Sequence, residues 1–323
     1  MQKHILVTGG CGFIGYNLCK KLLEDGHMVT CFDNLSTGTE TNLRELICYH
    51  DFLFERLDVS KPIKPKKIER LEHIDEIYHL ACPASPSKYQ SNPMKTIKTC
   101  INGSINVLKI CKKYKCKLLF TSTSEIYGDP TISPQPETYW GNVNCIGKRS
   151  CYDESKRMCE TIIYEYRKKH DLDLKVVRIF NTYGPYMDLN DGRVITNYVN
   201  CALNDKPITI YGDGNQTRSF CYVDDMVDAL MKMMESSEQG PINLGHPDNE
   251  LTMNKLADIF DELLNKKHQR IYLPLPSDDP KQRKPDITLA KTKLNWYPTT
   301  DIRTGISKLI EYVKENNESQ IYE

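Results

Sequence analysis

A chain of 323 residues is long enough for one large domain or two modest ones, and with 39% hydrophobic residues it can bury a substantial core. Lys and Arg number 43 and Asp and Glu number 43, so the formal net charge is +0. That balance supplies no electrostatic reason to bind nucleic acid or an anionic membrane, and any anionic ligand must be held by local groups.

Strand-like sequence begins at His4, so no signal peptide is expected ahead of the fold. Ile5-Leu6-Val7 is a first short strand, and residues 13–24 follow with helical spacing at Ile14, Leu18 and Leu22 before Gly26. Further strands are predicted at 29–32, 52–57, 77–81, 117–123 and 174–180, with helices at 96–114 and 152–169 between the later ones. Short strands alternating with amphipathic helices predict an α/β fold, a doubly wound parallel sheet covered on both faces. Beyond Phe180 the rhythm breaks, and Pro, Gly and Asp become frequent. Helices are expected near 193–203, 225–234, 253–264 and 302–314, in a smaller C-terminal substrate-binding domain. The expected division is 1–180 for the sheet domain and mainly 181–323 for the second, with later segments returning to the first. No apolar run approaches the roughly 18 residues of a membrane span. The 13 cysteines form no Cys-x-x-Cys pair and no cluster with histidines, so neither a metal site nor a disulfide framework is expected. They suit a reducing, cytoplasmic setting, where they act as small buried side chains.

Gly9-Gly10-Cys11-Gly12-Phe13-Ile14-Gly15 lies at the first strand-to-helix junction. Glycines at 9, 12 and 15 permit a tight turn, close approach of a pyrophosphate and close helix–strand packing. The phosphates would meet free N–H groups at the helix N-terminus. Asp33, at the end of the second strand, is placed to hydrogen-bond an adenosine ribose, and a carboxylate there favours NAD over NADP. Asp58-Val59, after the third strand, is a candidate adenine contact. Asn34 and Gly38 after strand two, and Leu80 and Ala81 at the end of strand four, complete the expected cofactor contacts.

A second constellation carries chemistry. Thr121-Ser122-Thr123-Ser124-Glu125-Ile126-Tyr127-Gly128 ends the fifth strand, and Tyr152 and Lys156 stand four apart on one helical face. A nearby ammonium is expected to lower the tyrosine pKa, and a phenolate can take a hydroxyl proton while hydride leaves the same carbon for a nicotinamide. Thr123 is positioned to hydrogen-bond that hydroxyl.

With the glycine loop and Tyr-x-x-x-Lys, the chain resembles the extended short-chain dehydrogenase/reductase superfamily and its Rossmann-type sheet. Longer strings narrow the resemblance: Leu80-Ala81-Cys82-Pro83-Ala84-Ser85-Pro86, Tyr139-Trp140-Gly141-Asn142-Val143-Asn144, Arg178-Ile179-Phe180-Asn181-Thr182-Tyr183-Gly184-Pro185, Asp191-Gly192-Arg193-Val194, Tyr211-Gly212-Asp213-Gly214, Gln216-Thr217-Arg218-Ser219-Phe220 and Arg283-Lys284-Pro285-Asp286. Together they resemble the UDP-glucuronic acid decarboxylases, from about residue 3 to residue 315.

The resemblance implies a bound NAD regenerated each turnover. The sugar C4 hydroxyl is oxidised, the β-keto acid loses CO2, the enolate is protonated at C5, and hydride returns to C4. It assigns oxidation to Tyr152 and Lys156, hydroxyl and acid roles to Thr123, Ser124 and Glu125, and the carboxylate step to Arg283. Asn181, Arg193, Val194, Tyr211, Gln216 and Arg218 would hold UDP. Pro83, Ala84, Ser85 and Tyr89 would lie over the glucuronate. It also implies a homodimer through the helices at 96–114 and 152–169.

Five positions depart from the family: Thr39 where a basic residue is common, Cys100 where Asn is usual, Cys145 for Pro, Ser155 for Gly, and Tyr186 for Arg. Two alternatives stay open: a nucleotide-sugar 4,6-dehydratase or 4-epimerase, which share the first oxidation, and a non-catalytic NAD-binding scaffold protein.

Overall fold

Strands and helices alternate along the first half of the chain because apolar runs too short for a helix are separated by segments with a single apolar stripe. The computed structural model describes residues 1–63, 71–276 and 278–319. In chain order it contains β1 (His4–Thr8), α1 (Phe13–Glu24), β2 (Met28–Asp33), α2 (Glu40–Ile47), β3 (Phe52–Arg56) and β4 (Glu76–His79). Then come α3 (Pro86–Ser91), α4 (Pro93–Tyr114), β5 (Lys117–Thr123), a 3-10 turn (Ser124–Tyr127), α5 (Ser150–His170), β6 (Leu174–Ile179) and β7 (Thr182–Tyr183). The remainder holds α6 (Val194–Leu203), β8 (Ile208–Tyr211), β9 (Thr217–Ser219), β10 (Cys221–Tyr222), α7 (Val223–Glu235), β11 (Ile242–Leu244) and β12 (Glu250–Thr252). It ends with α8 (Met253–Leu263), β13 (Arg270–Leu273), β14 (Gln282–Arg283), α9 (Thr288–Leu294) and α10 (Ile302–Ser319).

A seven-stranded sheet runs β11-β6-β5-β4-β1-β2-β3, with every pairing parallel. Successive side chains point to opposite faces. Ile5, Val7, Tyr78 and Leu119 enter a core covered by α1, α7 and α9, whereas Leu6, Ile77, Leu118 and Phe120 enter one covered by α4 and α5. Strand order reverses beside β1, which opens a crevice at the carboxyl ends of β1 and β4, the usual ligand position in such sheets.

A third core gathers Tyr198 and Val199 of α6, Leu256 and Phe260 of α8, and Ile306 and Leu309 of α10. Beside it lie short sheets, β13-β8 and β12-β9-β14. Residues beyond 180 therefore serve both parts: β11 extends the large sheet by pairing with β6, and α7 packs on its face.

Some expected boundaries shift. β3 stops at Arg56 rather than residue 57, and β4 at His79 rather than residue 81. Helix α4 begins at Pro93, capped by the Asn92 side chain, which accepts from Lys95 N at 3.0 Å. The sequence did not place α2, α3, α9 or any of the short strands β7 to β14. In β11 the apolar run is broken by Asn243, fully buried because its amide donates to Gln135 O at 2.9 Å and Asp286 O at 3.1 Å and its oxygen accepts from Tyr127 Oη at 2.7 Å. Hydrogen bonds from remote segments make a polar strand centre tolerable.

Candidate active site

A cavity of about 670 Å³ opens at the carboxyl ends of β1, β4 and β5 and continues to α6, β8 and β9. Its first half is largely backbone. Gly9 has φ +76°, a conformation that side chains rarely adopt, and a Cβ there would meet Ala81 Cα at 2.9 Å. A Cβ on Gly15 would run into the Gly9 carbonyl, so helix α1 approaches the turn only because residue 15 is glycine. Gly12 caps α1 with no side chain across its end, which leaves the helix N-terminus bare beside the cavity.

Asp33 is buried and knits this turn together. Its Oδ2 accepts from Cys11 N at 3.0 Å and its Oδ1 from Leu35 N at 2.8 Å. Burial pushes its carboxyl up, and the backbone donors oppose that rise. Gly9, Gly12, Phe13, Ile14, Gly15, Asp33, Asn34, Val59, Leu80 and Ala81 all border the cavity. Gly38 and Asp58 do not. Gly38 is pressed against Cys11, where a Cβ would meet backbone carbon at 2.9 Å. Asp58 turns onto its own loop, accepting from Ser60 N at 3.0 Å and Ser60 Oγ at 2.7 Å. At the departure Thr39, the hydroxyl caps α2 by accepting from Asn42 N at 3.1 Å. At Tyr186 the ring packs on Tyr16, with centroids 4.0 Å apart.

Helix α5 carries Tyr152 and Lys156 into the middle of the cavity, both buried. Lys156 Nζ donates to Thr121 O at 2.7 Å, 4.7 Å above the Phe120 ring and 5.9 Å from the Tyr152 ring centroid. The expected fall in the tyrosine pKa is not found. Burial, with Cys82 and Cys100 close by, pushes the phenol well above its ordinary value, and the Thr123 hydroxyl opposes this only in part. The ammonium is spent on a backbone carbonyl rather than on the phenol. Tyr89 is not on the cavity surface. Its ring stacks on Tyr152 at 5.0 Å and 5°, backing it from behind. The Tyr89 and Ser85 hydroxyls are both buried with no hydrogen-bond partner.

Glu125 begins the turn after β5 and is gripped at both oxygens, one by Arg149 and one by Arg283. Burial raises this carboxyl, but the two guanidiniums outweigh it and hold it at about 2. Arg283 also donates to Gly128 O at 3.3 Å, and its Nε is buried without a partner. Its ion-pair partner is therefore Glu125 and not the neighbouring Asp279 or Asp286. Asp279 instead bonds Arg218 at 2.9 Å and faces Arg149 at 3.7 Å. Asp153 lies 3.7 Å from Arg149, and burial together with Glu125 pushes it up to about 8. Three arginines, Arg149, Arg218 and Arg283, thus meet three carboxylates, of which Asp153 is drawn toward its protonated form.

Sequence reading missed Arg149, Asp153 and Asp279. One signal was available for Arg149: a cation at a helix N-terminus opposes the helix dipole, so Arg149, capping α5, implied acidic neighbours.

At the far end, Asn181, Arg193, Val194, Tyr211, Gln216 and Arg218 share the cavity wall, as do Pro83, Ala84, Ser85, Thr123 and Ser124. Arg193 faces Asp191 at 2.8 Å, and Gln216 Nε2 donates to Tyr211 O at 2.7 Å, leaving the half-exposed Tyr211 ring open. Among the described residues, no group of His, Cys, Asp and Glu could hold a metal, and no helix is long and apolar enough to cross a membrane.

Comparison with known proteins agrees with this layout. Residues 5–245 match the NAD dependent epimerase/dehydratase family. UDP-glucuronic acid decarboxylase 5 of Arabidopsis thaliana is 49% identical over 95% of this chain and 88% of its own length. UDP-glucuronic acid decarboxylase 1 of Danio rerio is 44% identical over 99% and 74%. A solved structure of UDP-glucuronic acid 4-epimerase from Bacillus cereus, in complex with UDP-glucuronic acid and NAD, superposes with TM-score 0.86 at 27% identity, covering 97% of this chain and 99% of that one.

Proposed function

The chain belongs to the NAD dependent epimerase/dehydratase family, and on that premise we propose that it is a UDP-glucuronate decarboxylase, converting UDP-glucuronate to UDP-xylose and CO2 through a 4-keto sugar. The observation that carries this reading is the meeting, in one cavity, of Tyr152 and Lys156 with a cluster of three arginines, Arg149, Arg218 and Arg283. A 4-epimerase of a neutral sugar or a dehydratase needs the first pair but has no carboxylate to hold. The decarboxylase relatives also match this chain at 49% and 44% identity, against 27% for the 4-epimerase structure.

The glycine turn fits NAD. A bare helix N-terminus would receive the diphosphate, Gly9, Gly10 and Gly15 leave no room for a Cβ in the turn, and Asp33 beside it suits an unphosphorylated ribose. When bound, oxidised NAD would supply the hydride acceptor and a positive charge that favours a phenolate in a buried site. Tyr152 takes the C4 hydroxyl proton, Thr123 orients that hydroxyl, and Lys156 is held ready by Thr121 O. Arg283 presents a planar fork to the sugar carboxylate, and its unpartnered Nε is one free donor. Ser124 and Glu125 line the same cavity beside Arg283. Arg193 and Arg218 meet the diphosphate, and Tyr211 and Gln216 the base.

A homodimer through α4 and α5 accompanies this reading. Exposed Met158 and Tyr164 on α5 and Met94 on α4 offer apolar surface there, and light scattering giving a monomer at micromolar concentration would contradict it. A reducing, cytoplasmic setting fits thirteen free cysteines. The deciding experiment is incubation with UDP-glucuronate and mass-spectrometric analysis of the products. UDP-xylose with CO2 is expected, while a C4 epimer that keeps the carboxylate, or no turnover, overturns the proposal.

A further inference from the structure

Cys82 and Cys100 meet at the edge of the cavity, Sγ to Sγ at 2.8 Å. Cys82 follows β4 in the segment that lines the cavity and is half-buried, open to small solutes from that side. Cys100 lies behind it on α4 and is buried. Cys159 of α5 backs the pair, donating to Cys100 O at 3.2 Å and accepting from Ser104 Oγ at 3.3 Å. The other close cysteine pairs are less open: Cys11 borders the cavity, but it and Cys31, 3.9 Å apart, have no exposed surface, and Cys111 and Cys116 are buried within the second core. Cys100 is also a departure of this chain from the pattern its family resemblance predicts.

We propose that Cys82 and Cys100 form a redox modification site, a dithiol that a small-molecule disulfide such as oxidised glutathione converts to an intramolecular disulfide in the cavity wall. The Cys82 thiolate attacks one sulfur of oxidised glutathione, forming a mixed disulfide and expelling a glutathione thiolate. Cys100 then gives up its proton and attacks the Cys82 sulfur, expelling the second glutathione. Two protein thiols lose two electrons, one oxidised glutathione becomes two reduced ones, and the two thiol protons end on them. The sulfurs need only close from 2.8 Å to the roughly 2.0 Å of a disulfide. Cys82 and Tyr152 line the same cavity, and both sulfurs are near enough to influence the phenol electrostatically, so the bond ties the Cys82 segment to α4 in the wall that holds the proposed proton acceptor and stops turnover there. The site does not depend on the identity of the sugar substrate.

The test titrates the protein as purified with oxidised and reduced glutathione, traps free thiols by alkylation and maps the peptides by mass spectrometry, with turnover of UDP-glucuronate measured alongside. A Cys82–Cys100 cross-link is expected, with turnover down at least about tenfold, a fraction of the roughly 100-fold or more that a general base contributes. Dithiothreitol should restore it. Cys100→Ser should stop at the mixed disulfide and carry glutathione on Cys82, and Cys82→Ser should form neither product and keep its turnover under oxidant. Absence of the cross-link while other thiols oxidise overturns the proposal, as does a cross-link that leaves turnover unchanged or an oxidant-sensitive Cys82→Ser. Peptide mapping reads the cross-link even in a protein that does not turn over UDP-glucuronate, so failure of the substrate assignment is told apart from failure of this one.

Discussion

The cofactor end of the cavity is made of backbone from a single stretch, residues 9–15, whereas the sugar end is made of charged side chains drawn from four separate segments. In the first, the decisive feature is the absence of side chains: Gly15 is required by the Gly9 carbonyl in the same turn, Gly10 by Cys31 of β2, and Gly9 by the Ala81 backbone after β4. In the second, Glu125, Arg149, Asp153, Arg218, Asp279 and Arg283 hold one another before any ligand is considered. The backbone end is rigid and single-purpose. The charged end is a set of ion pairs that an anionic substrate must partly exchange, which makes it tunable by single substitutions and sensitive to pH.

The sharpest way to test the division lies between the two ends, at Tyr152. Tyr152→Phe keeps the ring stacked on Tyr89 and removes only the phenol. Loss of a general base is worth about 100- to 10,000-fold, so turnover of UDP-glucuronate should fall by that factor while UDP binding, read by calorimetry, stays nearly unchanged. Full activity would place the base elsewhere.

Arg283→Ala breaks the charged end alone. A charge-assisted hydrogen bond is worth roughly 1.5–3 kcal/mol, so release of labelled CO2 should slow by about 10- to 150-fold with bound NAD retained. Arg283 also pairs with buried Glu125, so the melting temperature should drop as well. Wild-type CO2 release from a folded variant would remove Arg283 from the carboxylate step.

Gly15→Ala breaks the backbone end alone. The added methyl meets the Gly9 carbonyl, and overpacking of this kind costs roughly 1–3 kcal/mol. The nucleotide released on denaturation should be NAD in the unaltered protein and should be depleted in the variant. Equal NAD content in both would show that the turn has room, and recovery of NADP would undo the reading of Asp33.

The smallest effect concerns pH. Glu125, depressed to about 2, contributes stability that is present above the ordinary carboxylate range and lost as pH falls toward 2. Asp153 has the opposite sign. Raised to about 8, it binds a proton in the folded state that it lacks when unfolded, so stability falls as pH rises from about 4 to 8. Asp153→Asn should flatten that fall, read as the urea midpoint between pH 4 and 8. An unchanged slope would show that Asp153 ionises normally.

Sequence alone determined what depends on neighbours along the chain. Strands β1 to β6 were legible because alternating faces and short apolar runs are local signals, and the cofactor turn because its glycines are spaced within seven residues of one another. Spacing also placed Tyr152 and Lys156 on one helical face. Only the tertiary structure decided what depends on charges and hydrogen bonds arriving from elsewhere. It gave Lys156 to Thr121 O and left the Tyr152 phenol raised by burial, moved Tyr89 behind Tyr152, and turned Asp58 onto its own loop. It joined Arg283 to Glu125, residues 158 positions apart, and let Asn243 sit in the middle of β11 through partners from three other segments. The physical reason is range: backbone propensity and side-chain periodicity act over a few residues, while the partners of a buried charge or amide are set by how the whole chain packs.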